Sequence, residues 1–245
     1  MRVLLLANYG AEVAEIGGAL AKNVECGGQS HAAVMLCRQA SRPQVVEAGK
    51  ALGVTVEFLD WEYGAVFPDR ETKRSIVRVI RGFKPAVIIT QDPEHTYHDL
   101  DPDRRMAVLT TIEAIALAGR EMEGYETPGL APWRVPTIYY MWPEEANCVV
   151  DISSVWAKKR EALGKLEFQM TFSVKALEKI VAPHLMDHVA PGYNQMPTDY
   201  HRGLGLHVGM EIANALHYGL AAHGKFALAE PFRRTTLFNL DRLIP

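Results

Sequence analysis

Hydrophobic positions along this 245-residue chain fall into two rhythms, short unbroken apolar runs and longer stretches of helical spacing. Val3 to Ala7 is an unbroken run, the pattern of a strand buried on both faces. Asn8, Tyr9 and Gly10 interrupt it, and Ala11 to Lys22 then carries Val13, Ile16, Leu20 and Ala21 on one side of a helix. The same alternation continues. His31 to Cys37 predicts a second strand, Pro43 to Leu52 a helix closed by Gly53, and Thr55 to Leu59 a third strand. Arg70 to Phe83 has helical periodicity, Lys84-Pro85 stops it, and Ala86 to Thr90 predicts a fourth buried strand.

Gln91 to Asp103 (QDPEHTYHDLDPD) is a polar loop leaving that strand, and Arg104 to Met122 a long helix. Gly124 to Pro136 is a Pro/Gly-rich loop. Thr137 to Met141 and Asn147 to Ile152 predict further strands, with Ser153 or Ser154 capping a helix from Trp156 to Leu166. His184 to His201 reads as an irregular loop and Gly205 to Ala222 as an apolar helix. Strands and helices alternating with short links predict an α/β fold: a Rossmann-like parallel sheet with right-handed crossovers and helices on both faces. Ligands gather at the carboxyl ends of such strands, so Asn8 to Glu12 and Gln91 to Asp103 are where chemistry is expected. No linker or internal repeat divides the chain, and a single domain over 1–245 is expected.

Composition narrows the function classes. With 26 Lys+Arg against 29 Asp+Glu, the net charge of −3 gives no reason to expect nucleic acid or an anionic membrane as partner. Cys26, Cys37 and Cys148 are widely spaced and match no metal or redox motif, which suggests reduced thiols in a cytoplasmic protein. No apolar run approaches the roughly 20 residues of a membrane span.

The first strand and helix also carry a resemblance. Ala7-Asn8-Tyr9-Gly10-Ala11-Glu12 followed by Ile16-Gly17-Gly18-Ala19-Leu20-Ala21-Lys22 resembles the opening of the PIG-L/LmbE-like family, zinc-dependent deacetylases and relatives acting on N-acyl sugars and other small molecules. Arg42, Leu52 to Val54, Phe58 to Asp60, Val149 to Ser153 with Lys158 and Lys159, and Glu230-Pro231-Phe232 are similar to further family positions. The resemblance covers residues 1–167 best and implies the family's fold, with 168–245 a divergent C-terminal extension covering the site.

The family's motif reads Pro-His-Pro-Asp-Asp-Glu, and of its chemical residues only Glu12 remains here. Asp101-Pro102-Asp103-Arg104-Arg105 stands where the family has a second, histidine-bearing motif. The resemblance thus implies that the three zinc-ligand positions are held by Asn8, Ala11 and Arg104, and the general-base position by Gly10. Zinc catalysis needs about three imidazole, thiolate or carboxylate ligands and an open position. Ala11 offers no donor, and a unit charge roughly 5 Å from a dication costs about 6–7 kcal/mol at an effective dielectric of about 20. No metal is therefore expected at the family's site.

The expected function is a PIG-L/LmbE-like small-molecule enzyme, deacetylase- or amidohydrolase-like or hydratase- or lyase-like, working by acid and base residues on a small, polar, anionic substrate. The candidate catalytic residues are Glu12, His95, His98 and Asp103. Asn8, Arg42, Arg104, His188 and His201 are the candidate substrate contacts, with Arg104 a bidentate clamp for a carboxylate or phosphate. An ordinary Glu12–Arg104 ion pair without chemistry is the competing reading. Two further alternatives stand: a non-catalytic binding or regulatory protein, and a metallohydrolase whose divalent metal has moved to Glu12, His95, His98 and Asp101. A homo-oligomer is possible. His184 and His188 would have metal-like spacing on a helix, but Pro183 and Pro191 oppose one. His207 and His217 read as packed core histidines. Gly203-Leu204-Gly205 follows no strand, so no dinucleotide site is expected. Cys37, Ser153 and Ser154 lack the setting of nucleophiles.

Overall fold

A computed structural model of the chain describes residues 1–235. Strands β1 (Arg2–Tyr9), β2 (Gln29–Leu36), β3 (Thr55–Phe58), β4 (Val87–Gln91), β5 (Thr137–Met141), β6 (Cys148–Asp151) and β7 (Ala229–Thr235) form one sheet in the order β3-β2-β1-β4-β5-β7-β6. β1 lies between β2 and β4 and is parallel to both, with Leu4 opposite His31 and Ile88. Its pleat sends Val3, Leu5 and Ala7 into one apolar layer and Leu4 and Leu6 into the other, which is why this run has no polar face.

Helices α1 (Glu12–Glu15), α2 (Gly17–Glu25), α3 (Arg42–Leu52) and α7 (Trp156–Gly164) pack on the first face, and α4 (Arg70–Phe83) and α6 (Pro102–Ala118) on the second. The expectation of helices on both faces of an α/β sheet holds. The expected parallel sheet holds over β1 to β5, and one strand departs from it: β7 runs antiparallel between β5 and β6 and joins them. Pro231 hides this strand in the sequence, since proline cannot complete a strand ladder. Phe232 and Glu230 are nevertheless buried on it.

Other boundaries shift for local reasons. The helix expected over Ala11 to Lys22 breaks at Ile16 into α1 and α2. Glu230 caps the fresh helix start from across the sheet, accepting from Gly18 N at 2.9 Å and Ala19 N at 2.7 Å. A Cβ on Gly18 would stand 2.4 Å from Glu230 Oε1, so glycine is required for this approach. The Gln91–Asp103 stretch is not all loop, because Asp92 and Pro93 start helix α5 (Pro93–Tyr97). Ser153 and Ser154 do not cap α7. Ser153 bonds Asp151, and Ser154 bonds Glu25. The C-terminal region contains α8 (Glu167–Leu177), α9 (Pro183–Met186) and α10 (Asp199–Tyr218), so His201 is helical rather than in a loop. Residues 236–245 of the expected extension lie outside the described residues. Among the described residues, no helix is long and apolar enough to cross a membrane.

Candidate active site

The sheet order reverses between β1 and β4, and a cleft of about 500 Å³ opens beside that switch point, at the carboxyl ends of the strands. Its lining comes from the turn after β1 (Tyr9, Gly10, Ala11, Glu12), from Glu15, from the end of β2 (Cys37, Arg38), and from Asp101 and Arg104 at the start of α6. Tyr63, Trp142 and the α8 residues Phe168 and Phe172 complete the walls. Trp142, just past β5, has a left-handed backbone (φ 52°), a conformation that costs free energy and is held only by its surroundings.

Glu12 sits at the root of the cleft, 1 % exposed. Its Oε2 accepts from Asn8 N at 2.8 Å, and Oε1 accepts from Tyr9 N and Gln91 Nε2, each at 3.3 Å. Burial nevertheless dominates and lifts its carboxyl to about 7, against the opposing pull of Arg104 and the two backbone donors. Glu15, one turn along, faces the same cleft, and burial with the nearby Glu211 lifts it to about 8. Asn8 is fully buried. Its Nδ2 donates to Gln91 Oε1 at 2.6 Å, and its Oδ1 has no hydrogen-bond partner among the described residues.

Arg104 is aimed into this cleft by helix geometry. Asp101 caps α6, accepting from Asp103 N at 3.0 Å and Arg104 N at 3.3 Å, with Pro102 in the first turn. Arg104 Nε lies 3.0 Å from Asp99 Oδ2 without its N–H being aligned for a hydrogen bond. No close Glu12–Arg104 salt bridge forms; the two act on each other only through the field across the cleft. Tyr9 donates its hydroxyl to Asp101 Oδ2 at 2.5 Å, and that bond with burial pushes its phenol far up.

The other candidates lie elsewhere. His95 is beside the cleft in an adjoining depression, its Nδ1 3.1 Å from Glu144 Oε1 and its ring edge-on to Trp142. His98 is exposed, edge-on to Tyr97, because α5 turns it outward. Asp103 faces away from the cleft and accepts from Gly64 N at 2.6 Å and Val66 N at 3.4 Å, tethering the loop that carries Tyr63. Arg42 pairs with Asp60 and stacks on Phe58, and does not itself line the cleft although its neighbour Ser41 does. His188 is exposed after α9, and His201 bonds Thr198 at the start of α10; neither reaches the cleft. Glu12, His95, His98 and Asp101 are accordingly not gathered, and no three His, Cys, Asp or Glu side chains among the described residues could hold a metal ion together.

Several cleft residues had no place among the sequence candidates: Glu15, Arg38, Tyr63, Trp142, Phe168 and Phe172. Glu15 alone had a signal, lying three positions after Glu12 on one helical face. The aromatics are brought in by loops and by α8, beyond any local pattern.

The fold is thus a mixed α/β sheet with a cleft at its switch point, beside the turn after the first strand. Comparison narrows it. Over 102 residues the chain is 32% identical to the diacetylchitobiose deacetylase of Thermococcus kodakarensis, a match spanning 41% of this chain and 38% of that protein. The structure of the N,N'-diacetylchitobiose deacetylase of Pyrococcus horikoshii superposes with a TM-score of 0.71 at 17% identity, over 99% of this chain and 88% of that one. The 4-carboxy-2-hydroxymuconate hydratase of Pseudomonas putida KT2440 superposes at 0.63 and 18% identity, over 99% of both chains. No family model matches the chain. The fold of the chain is that of these deacetylases.

Proposed function

We propose that this chain is an enzyme of deacetylase or hydratase type that acts on a small anionic molecule by proton transfer at Glu12, without the zinc its fold implies. The observation that carries the reading is Glu12 itself, a carboxyl buried at the root of a 500 Å³ cleft and lifted to about 7. A carboxyl poised near neutrality exchanges protons in both directions, which is what general acid–base work requires. Glu15, lifted to about 8, supplies the second proton position on the same wall.

The residues present do not fit zinc. The positions matching the family's ligands offer one amide oxygen at Asn8, no donor at Ala11, and a permanent cation at Arg104. Arg104 instead provides fixed positive charge beside Glu12, suited to an oxyanion or enolate developing on the substrate. Hydration or elimination beside a carboxylate asks only for proton transfer and charge stabilisation. It therefore suits this set better than amide hydrolysis, which must also activate water for attack on a poor electrophile.

One observation favours a binding-only protein: Glu12 already accepts three hydrogen bonds and serves as a clasp for its turn. Turnover decides between the two. Screening small unsaturated carboxylates and N-acyl compounds should reveal a reaction that Glu12→Gln slows by roughly 10²–10⁴-fold. A reaction indifferent to both Glu12→Gln and Glu15→Gln would overturn the proposal.

A further inference from the structure

One side of the cleft is built as a row of stacked groups. Arg38 Cζ lies 5.7 Å from the Tyr63 ring centroid, and Tyr63 stacks on Tyr9 at 6.1 Å with 24° between the rings. Arg104 Cζ lies 5.2 Å from the Tyr9 centroid and 5.7 Å from that of Trp142. All five residues line the cleft. The row is also held in place: Asp103 tethers the loop of Tyr63, and the Tyr9 hydroxyl is tied to Asp101.

Groups stacked in this way turn their faces to one another and their edges outward. A guanidinium directs its N–H donors within its own plane, and an aromatic edge carries the positive part of the ring quadrupole. Both kinds of rung therefore show an electropositive edge. Arg104 already has Asp99 at 3.0 Å, whereas Arg38 is exposed and forms no ion pair among the described residues. Phe168 and Phe172 of α8 add apolar surface to the same cleft, Phe172 being 65 % exposed.

We infer that the cleft is a slot for a flat carboxylate, aryl or enoyl, whose anionic group is held by Arg38 and whose planar body lies along the ring edges and the phenylalanines. A pyranose is the poorer occupant, because sugars are gripped by open aromatic faces, and the faces of Tyr9, Tyr63 and Trp142 are engaged by guanidinium groups or by each other. The inference rests on the proposed function for the choice of this cleft as the substrate site.

The test is ligand-observed NMR titration of the intact protein with benzoate, cyclohexanecarboxylate, benzamide and N-acetylglucosamine. Benzoate should bind at least about tenfold more tightly than the other three. Arg38→Ala and Tyr63→Leu should each weaken benzoate by a similar factor with unchanged unfolding temperature, while Tyr63→Phe retains binding. Equal binding of cyclohexanecarboxylate, tighter binding of N-acetylglucosamine, or indifference to Arg38→Ala would overturn the slot. Because the readout needs no turnover, the two readings can fail separately. Benzoate bound by a protein that transforms nothing refutes catalysis and keeps the slot. Turnover of a neutral substrate without benzoate binding does the reverse.

Discussion

Glu12 joins two roles at one residue, clasp of the turn after β1 and proton carrier. Its Oε2 accepts from Asn8 N–H. Glu12→Gln sets an amide either against that donor or against those of Tyr9 and Gln91, and should cost about 1–3 kcal/mol in denaturant unfolding besides slowing turnover. Its pH dependence has a definite sign. A carboxyl lifted to about 7 in the folded state, against 4.5 for the ordinary group, keeps a proton that the unfolded chain has released. Stability is therefore greatest below pH 4.5 for this group and declines as pH rises to about 7; Glu15 extends the decline to about 8. Unfolding free energy measured from pH 5 to 9 should fall over that window, and Glu15→Gln should flatten its upper part. If one carboxyl must be ionised while the other holds its proton, the rate follows a narrow bell with its maximum near pH 7–8.

At the scale of elements, the cluster of buried Lys159 and Glu230 with partly buried Glu211 ties α1, α7, α10 and β7 together. Lys159 Nζ reaches Glu230 at 2.6 Å, Glu211 at 2.7 Å and the carbonyl of Glu15 at 2.6 Å. Lys159→Met should cost about 3–5 kcal/mol, because the buried carboxylate of Glu230 loses its cation, as does the partly buried one of Glu211. Gly18→Ala drives a methyl into Glu230 and Ile152 and should cost about 1–3 kcal/mol, measurable by thermal unfolding. These contacts also mark what the chain made legible. β1 to β5 and the helices between them follow from unbroken apolar runs and helical spacing, because each buries its own local pattern. β7 was invisible behind Pro231, and the helix start after the break at Ile16 is capped by a carboxylate 212 positions beyond Gly18. The positions of Glu12 and Arg104 beside the cleft could be anticipated from their neighbours in sequence, whereas Asn8 is fully buried and does not line it. Those of Tyr63, Trp142 and Phe172 could not be, since only the packed fold sets them side by side.

For the whole molecule, the fold is that of the superposed deacetylase, and no three His, Cys, Asp or Glu side chains among the described residues could hold a metal ion together. Asn8 and Arg104 lie outside the apolar layers on either side of β1, whereas Ala11 belongs to one of them. Rebuilding Asn8→His, Ala11→Asp and Arg104→His together should create zinc affinity that the natural chain lacks, read by calorimetric zinc titration, with a loss of stability in the metal-free state because Asn8 and Ala11 are buried.

The most direct measurement is metal content and turnover on the same preparation, before and after exhaustive chelation. Proton transfer from Glu12 beside a fixed arginine predicts substoichiometric zinc and an unchanged rate. Loss of turnover on chelation, restored by one equivalent of zinc, would contradict it.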